Sequence, residues 1–408
     1  MMILNIKPVK ILKGQIRLPA SKSYSIRALI IAACGGKSHI IHPSNCEDAL
    51  VAQNVSNTFK KKAKIFNVGE SGTSLRFLLP LLPFHTSQAR IKGKGTLIGR
   101  PNHHLCETLR RQGMNIQGSG PKESIPIIYK GGKLKAGTIK IDGTLSSQFI
   151  SALLIALPQL EDDSQIIITG KEMVSSDYIV MTNQILAKAG IRIQQLSPRK
   201  YFIKGNQRFK GLKNFIVPSD YGLAAFHMAA ASLLQSNIVL KGHLKDDLVQ
   251  SDGHIMKFLK KMGVNYKKTD ASISIQGPFN LKGSVFSLKN CPDLVPIMAV
   301  LALFAKGQTK LVDISHARLK ESDRISDVRK ELLKIGADVK ETSNALIINP
   351  KSFYKTGQIL DSHHDHRLAM AWTVLGMKIG LQIKGIESCR KSYPDFVKDR
   401  ESLGLRYT

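Results

Sequence analysis

The sequence predicts an α/β protein made of repeated units, and three observations carry the prediction. Four segments share a basic helix end, a glycine and then a strand: Leu109–Ile116, Leu186–Ile193, Leu259–Tyr266 and Leu332–Val339. Their glycines, Gly113, Gly190, Gly263 and Gly336, recur at near-regular intervals, and Ser402–Tyr407, centred on Gly404, reads as a fifth copy. Alternating apolar runs at Ser164–Thr169, Asn237–Lys241 and Ala345–Asn349 supply strands between them. Several apolar helices also open on hydroxyl- and glycine-rich turns.

The first such opening is Leu18–Arg27, running into Ala28–Ala33. Pro19 stops what precedes it, Ser21 or Ser23 can cap the exposed N–H groups, and Cys34-Gly35-Gly36 ends the helix. Ser23 and Arg27 share a helix face, and Lys22 stands beside the positive end of the dipole. Such an end suits an anion, although an ordinary capped helix with solvated charges reads the same way.

The pattern recurs. In Val68–Arg76 a glycine-rich turn with Thr73 and Ser74 leads into an apolar helix over Leu75–Leu82, and in Asp142–Phe149 Ser146, Ser147 and Gln148 stand where another helix opens. Capping alone explains one such site; three are harder to dismiss. Near Phe215–Asp220, Pro218 interrupts before an alanine-rich helix and marks a domain seam.

The second half holds a denser cluster. Lys320, Glu321 and Arg324 lie in Leu319–Arg324, ahead of Ile325, Val328, Leu332 and Ile335, whose spacing predicts an amphipathic helix with Lys320 to Arg324 at its start. Asp293 follows Pro292 just before another apolar helix. The segment reads either as a solvated ion-pair face or as an acid/base pair framed by cations that hold an anionic substrate.

Bulk composition narrows the classes. With 408 residues, 43% hydrophobic and 22% charged, the chain suits a soluble globular protein of two or three domains. No apolar run approaches the roughly 20 residues of a membrane helix. The N-terminus lacks a secretory pattern, and five scattered cysteines without Cys-x-x-Cys fit a reducing cytoplasm. The net charge of +30 is spread along the chain, with only Lys60–Lys62 and short pairs clustered and aromatics at 6%. That distribution argues for solvated surface with a minority of cations in a site, against a nucleic-acid binder. Gly35–Ser38 lacks the first glycine of a Walker loop, because Ile31 stands there, and His363–Arg367 lacks metal-ligand spacing.

Taken together these segments resemble the 5-enolpyruvylshikimate-3-phosphate synthases (3-phosphoshikimate 1-carboxyvinyltransferases), over essentially the whole chain and in the correct order. The anchors are Leu18–Arg27, Gly69–Arg76, Gly99–Pro101, Ser146–Gln148, Ser175 with Tyr178, Pro292-Asp293, Leu319–Arg324, Asp365–Arg367 and Lys391 within Arg390–Asp395. The resemblance implies transfer of the enolpyruvyl group of phosphoenolpyruvate to the 5-hydroxyl of shikimate 3-phosphate. The reaction passes through a tetrahedral intermediate with loss of phosphate, on the way to chorismate and the aromatic amino acids. It implies no metal and no organic cofactor, small-molecule substrates as the only partners, no nucleic acid or membrane, a monomer and a cytoplasmic location.

The implied fold is two similar domains, each of three repeated α/β units with helices inside and sheets outside. Residues 1–19 with 219–408 would form a discontinuous domain carrying the acid/base and phosphoenolpyruvate residues. Residues 20–218 would carry most shikimate 3-phosphate contacts, with the site in the cleft and cleft closure sensed by Trp372, the single tryptophan. By resemblance Ser23, Arg27, Ser146, Ser147, Gln148 and Ser175 hold shikimate 3-phosphate, with Tyr178 nearby. Lys22, Gly72, Arg100, Arg324, Arg367 and Lys391 surround phosphoenolpyruvate. Asp293 takes the proton of the attacking hydroxyl, Lys320 orients it, and Glu321 exchanges a proton with the methylene carbon, with Lys22 sharing the catalytic set. Both carboxylates are expected to stay ionised beside these cations unless burial opposes it.

Three positions depart from the family pattern. Ile26 and Glu70 replace asparagines, Glu70 bringing a negative charge toward the anion site, and His316 replaces a substrate-contacting asparagine. Unsubstituted Gly72 points to sensitivity to glyphosate, which competes with phosphoenolpyruvate in this family. The sister enzyme acting on UDP-N-acetylglucosamine usually has a reactive cysteine where this chain has Gly95. A basic RNA-processing protein on a related scaffold would use the charge but leave Lys320–Arg324 and the serine pair without a role, and a degenerate, inactive family member would account for Ile26 and His316.

Overall fold

In the computed structural model, one supersecondary unit recurs: a strand, a buried helix, a parallel strand, an amphipathic helix and a closing hairpin. The structure describes residues 2–61 and 63–408. The first residue of the N-terminal reading and the last lysine of the Lys60–Lys62 run lie outside them. The chain divides into two compact units, an inserted one of Ser21–Val217 and a terminal one made of the residues up to Ala20 with Pro218–Thr408.

The inserted unit carries helices α1 (Lys22–Ala33), α2 (Glu47–Lys60), α3 (Gly72–Leu78), α4 (His103–Arg111), α5 (Ser147–Ala156) and α6 (Asp177–Lys188). One sheet orders Ile65–Asn67, Ala89–Lys92, Ser124–Tyr129 and Ile116–Ser119. A second orders Gly137–Asp142, Ser164–Thr169, Lys200–Ile203 and Ile193–Ser197, and the pair Ile40–Ile41 with Phe215–Ile216 completes the set. In both larger sheets the first pair is parallel and the rest antiparallel. The expected helix over Leu75–Leu82 is split: α3 starts earlier, at Gly72, and passes into a 3-10 turn over Leu79–Phe84. Pro80 and Pro83 have no N–H to give, so the α-helical ladder cannot continue.

The terminal unit carries α7 (Tyr221–Leu233), α8 (His254–Lys261), α9 (Val295–Leu303), α10 (Ser326–Lys334), α11 (His366–Ile379) and α12 (Phe396–Leu403). Its sheets order Ile11–Arg17, Gln235–Lys241, Ser272–Ile275 and Tyr266–Lys268; then Val285–Ser287, Thr309–Val312, Ala345–Asn349 and Asp338–Glu341; then Ile359–Asp361, Leu381–Lys384 and Ile3–Ile6. The same parallel-then-antiparallel order holds in each.

Sequence pattern explains which elements go inside. Every residue of α7 and α9 is buried; α9 is apolar all round and α7 nearly so, with His227 and Ser232 hydrogen-bonded inside, which in water demands a covering on every side. They pack on each other and on α11. The strands instead alternate: in Gln235–Lys241, Ile238 and Leu240 point inward while the intervening positions face out, as a half-covered sheet requires.

The repeated glycine has one job. Gly113, Gly190, Gly263, Gly336 and Gly404 all sit at positive φ within two residues of the ends of α4, α6, α8, α10 and α12. In each case the next residue donates back to the helix: Met114 to Leu109, Ile191 to Leu186, Val264 to Leu259, Ala337 to Leu332 and Leu405 to Arg400, at 2.9–3.2 Å. This left-handed cap turns the chain out of the helix, and only glycine adopts it without strain.

Candidate active site

In the inserted unit, three helix starts named from sequence share one device. Ser21 accepts from Tyr24 N–H ahead of α1, Ser71 from Ser74 N–H ahead of α3, and Ser146 from Gln148 N–H ahead of α5. Each cap satisfies one amide and leaves others at the positive end of a helix dipole. Lys22, the first residue of α1, pairs with Asp48 at 3.0 Å, both largely buried.

Cross-helix bonds gather these ends. Arg27 is 1% exposed and donates to Thr182 Oγ1 at 2.9 Å, Tyr178 O at 3.1 Å and its own helix's Ser23 O at 3.0 Å. It also lies over the Phe77 and Tyr178 rings, and burial lowers its pKa to about 10. Three of its five N–H groups are thus used within the unit, linking α1 to α6. Arg76 of α3 donates to Gln148 Oε1 at 2.5 Å, Asn102 Oδ1 at 3.2 Å and Pro101 O at 3.1 Å, while Gln148 donates to Thr73 Oγ1 at 3.0 Å. Fully buried Asn102 in turn donates to the carbonyl of Arg100.

Arg100 is brought against Gly72, where a Cβ would come within 2.9 Å of its Nη1. Ser147 is buried on α5, and Ser175, also buried, takes the left-handed φ of 57° just ahead of α6, its carbonyl accepting from Tyr178 N–H.

The Glu70 carboxylate accepts from the N–H and hydroxyl of Thr96, at 3.0 and 2.9 Å, so its charge is turned onto donors of the next loop. Ile26 is 1% exposed and lies in the core. Apolar packing explains an isoleucine there.

The terminal unit holds the second cluster. Asp293 lies in the 3-10 turn Pro292–Leu294 that opens α9, the proline supplying a fixed φ where no N–H is needed. One carboxylate oxygen accepts from Arg324 Nη1 at 2.6 Å and the other from Arg367 Nη2 at 3.1 Å. Arg324 is fully buried and also binds Glu321 at 3.0 Å and Asp365 at 2.8 Å. Burial opposes its charge, but Asp365, Asp293 and Glu321 outweigh burial and hold its pKa well above the usual value. Arg367, the first-turn residue of α11, adds Gly222 O at 2.9 Å and Asp252 at 3.4 Å, and the same balance raises its pKa.

Asp365, completely buried, caps α11 by accepting from Arg367 N–H and takes Ser322 Oγ at 3.2 Å. Lys391, in the turn Ile386–Lys391, donates to His364 O at 3.0 Å. His316 is 4% exposed and stays neutral: burial first, then Lys320, push its pKa down to about 3.

The helix expected to begin at Lys320 begins at Ser326 instead. Lys320–Arg324 is an irregular turn between the 3-10 helix Ser315–Leu319 and α10, because the Asp323 carboxylate accepts from the N–H groups of Ile325 and Ser326 and starts the helix there.

Of the candidate residues, Lys22, Ser23, Arg27, Gly72, Arg100, Ser146, Ser147, Gln148, Ser175 and Tyr178 lie in the inserted unit, and Asp293, His316, Lys320, Glu321, Arg324, Arg367 and Lys391 in the terminal one. Direct contacts join Arg27 with Ser23 and Tyr178, Gly72 with Arg100, Arg324 with Asp293 and Glu321, and Asp293 with Arg367. Sequence reasoning missed Asp48, Asn102, Asp252 and the supporting role of Arg76 and Asp365. Arg76 and Asp365 stand inside motifs already singled out; Asp252 sits in an ordinary Ser-Asp-Gly turn that gives no local signal. Among the described residues no group of three or more His, Cys, Asp or Glu could hold a metal ion, and no helix is long and apolar enough to cross a membrane.

The model of the family EPSP synthase (3-phosphoshikimate 1-carboxyvinyltransferase) matches residues 40–399. A 3-phosphoshikimate 1-carboxyvinyltransferase of Methanococcus maripaludis is 35% identical, with 98% of this chain and 99% of that protein covered. The protein of the same name from Methanocaldococcus jannaschii is also 35% identical, with 99% of each covered. Among solved structures, EPSP synthase from Acinetobacter baumannii superposes with a TM-score of 0.80 at 26% identity, over 100% of both chains. The enolpyruvyl transferase NikO from Streptomyces tendae, at 17% identity and a TM-score of 0.78 over 100% of this chain and 98% of its own, shares the fold.

Proposed function

This chain belongs to the EPSP synthase (3-phosphoshikimate 1-carboxyvinyltransferase) family, and from that premise we propose how its residues divide one reaction. The protein is a transferase that moves the enolpyruvyl group of phosphoenolpyruvate to shikimate 3-phosphate, a step of the shikimate pathway. The residue roles that follow are the proposal.

Ser23, Arg27, Ser146, Ser147, Gln148 and Ser175 of the inserted unit bind the phosphate, carboxylate and hydroxyls of shikimate 3-phosphate, with Tyr178 beside them. Capped helix ends supply N–H groups without a competing negative charge, and the guanidinium of Arg27 keeps N–H groups in reserve. Lys22, Arg100 and the space left by Gly72 receive phosphoenolpyruvate together with Arg324, Arg367 and Lys391. Excluding water around the multiply charged substrates strengthens these contacts.

Asp293 acts as the base. It accepts the proton of the 5-hydroxyl as that oxygen bonds to C2 of phosphoenolpyruvate, while Lys320 orients the hydroxyl and His316, neutral, offers a hydrogen bond to substrate. Glu321 gives a proton to C3, forming the tetrahedral adduct; removal of a C3 proton then expels phosphate and restores the double bond. Lys22 stabilises the charge that develops on phosphate. The observation that carries this division is the seat of Asp293, a carboxylate held at both oxygens by two buried arginines. We further propose that the protein works as a cytoplasmic monomer.

The test is phosphate release from phosphoenolpyruvate and shikimate 3-phosphate, with a chelator present. Release that depends on both substrates and survives the chelator is expected. No release would favour a degenerate protein, and loss to chelator would overturn the metal-free mechanism.

A further inference from the structure

The turn that joins strand Ile359–Asp361 to α11 is held in a costly conformation. His363 and His364 both adopt left-handed φ, 49° and 57°, which non-glycine residues sustain only when their surroundings fix them. What the turn carries is functional under the reading above: the His364 carbonyl receives Lys391, and Asp365 binds Arg324 and caps the helix at Arg367.

Backbone bonds hold part of the turn, Asp365 N–H to Ser362 O at 2.8 Å and Ser362 N–H to Lys384 O at 3.0 Å, and the His363 side chain ties it to α10. Its Nε2 lies 2.9 Å from Glu331 Oε1 and its Nδ1 3.7 Å from Asp327 Oδ1, both on α10. The Glu331 carboxylate is completely buried and also accepts from Asp361 N–H at 2.8 Å and Lys334 Nζ at 2.6 Å. Asp361 accepts from His363 N–H at 2.8 Å and pairs with Lys384 at 2.9 Å. Its carbonyl receives the indole N–H of Trp372 at 3.0 Å.

We propose that His363 is a positioning residue, whose imidazolium clamps the 361–365 turn to α10 and thereby sets Lys391, Arg324 and Arg367 for phosphoenolpyruvate. The proposal rests on the function given above. Protonation gives the ring a charge that strengthens the Nε2–Glu331 hydrogen bond at 2.9 Å and attracts the Asp327 carboxylate 3.7 Å from Nδ1. The charges facing it are Glu331 and Asp327 on α10 and Asp361 in its own turn, with Lys334 and Lys384 offsetting Glu331 and Asp361. The hydrogen bond to Glu331 raises the His363 pKa above 6.5, burial opposes that, and Asp327 adds to it. The clamp is therefore fully present below the ordinary histidine value and is lost as pH rises through the raised one.

The test uses His363→Asn, which tolerates the left-handed φ but cannot reach Glu331, and His363→Lys, which keeps a cation that does not titrate in the range. In the wild type, KM for phosphoenolpyruvate should rise with pH between about 6 and 9 while kcat moves less. His363→Asn should raise KM about 5- to 10-fold at the acid end and flatten its pH dependence, with kcat within about twofold; His363→Lys should flatten the profile at the low KM. Profiles that follow the wild type in both variants, or a loss confined to kcat, would overturn the proposal. Hydrogen exchange reads the clamp without turnover. At acid pH the amides of Asp361, Asp365 and Arg367 should exchange at least about 5-fold faster in His363→Asn, in protein shown folded by thermal melting. Unchanged exchange rejects the clamp, whereas inactive wild type with faster exchange in the variant rejects only the assigned reaction.

Discussion

Gly72 and Arg100 touch: a Cβ on Gly72 would stand 2.9 Å from the guanidinium Nη1 and 3.1 Å from Cζ. The glycine is the first residue of α3 and has no left-handed φ, so alanine suits its backbone; what forbids a side chain is the arginine. Gly72→Ala should therefore fold normally but push Arg100 aside. The expected outcome is a rise of about tenfold in KM for phosphoenolpyruvate, corresponding to about 1.4 kcal/mol, with a smaller change in KM for shikimate 3-phosphate. Steady-state kinetics in each substrate check this; equal rises in both would place Arg100 elsewhere.

Asp293→Asn keeps the shape of the carboxylate and removes its basicity. Arg324 retains Asp365 and Glu321, and Arg367 retains Asp252, so neither arginine is left without a partner. Turnover should fall by about 10³-fold, within the usual range for losing a general base, while substrate affinities change within about threefold. Isothermal titration alongside kinetics checks it, and equal loss of binding and turnover contradicts the role.

Asp365→Ala removes the completely buried partner of Arg324 and the cap of α11 together. Stability should drop by about 3–5 kcal/mol, the cost of breaking a buried pair from one side. Urea unfolding measures it; a loss below about 1 kcal/mol would mean that Asp293 and Glu321 suffice for Arg324.

Asp252 gives a pH signature of defined sign. Burial lifts its carboxyl from 3.8 to about 7; Arg367 opposes this and Asp293 and Asp220 add to it. The folded state thus keeps a proton that the unfolded chain releases, so this stabilising term is complete below the unfolded value and lost as pH rises through about 7. Asp252→Asn lacks the term. The wild type should lose stability relative to the variant between about pH 4 and pH 8, and a difference that stays constant in urea titrations would refute the assignment.

Gly95→Cys would place a side chain at φ 57°, with its Cβ 2.3 Å from the Glu70 carboxyl carbon. The carboxylate would have to give up Thr96, so the substitution should lower stability by about 1–3 kcal/mol. Thermal unfolding checks this, and Gly95→Cys with Glu70→Ala should recover the part due to the clash.

Local signals were legible wherever a short stretch acts alone. The cap serines, the glycines that end the amphipathic helices and the predominantly apolar α7 and α9 all follow from residues within one or two turns. The start of α10 was misplaced because apolar spacing does not show which side chain will cap, and Asp323 does so only once the turn before it has folded. Nor does the sequence show that the Glu70 carboxylate takes the N–H and hydroxyl of Thr96, a partner that only the folded loop supplies.

The sequence by itself determined the repeated α/β unit, the helix ends suited to anions and the family resemblance, because periodicity, capping and glycine conformation are short-range properties. Only the tertiary structure decided the partners: Asp293 with Arg324 and Arg367, Arg27 with Thr182, Gly72 with Arg100 and His363 with Glu331. Those pairs join residues tens to hundreds of positions apart, and the free energy of a buried charge depends on which group lies within about 3 Å of it, which no local pattern encodes.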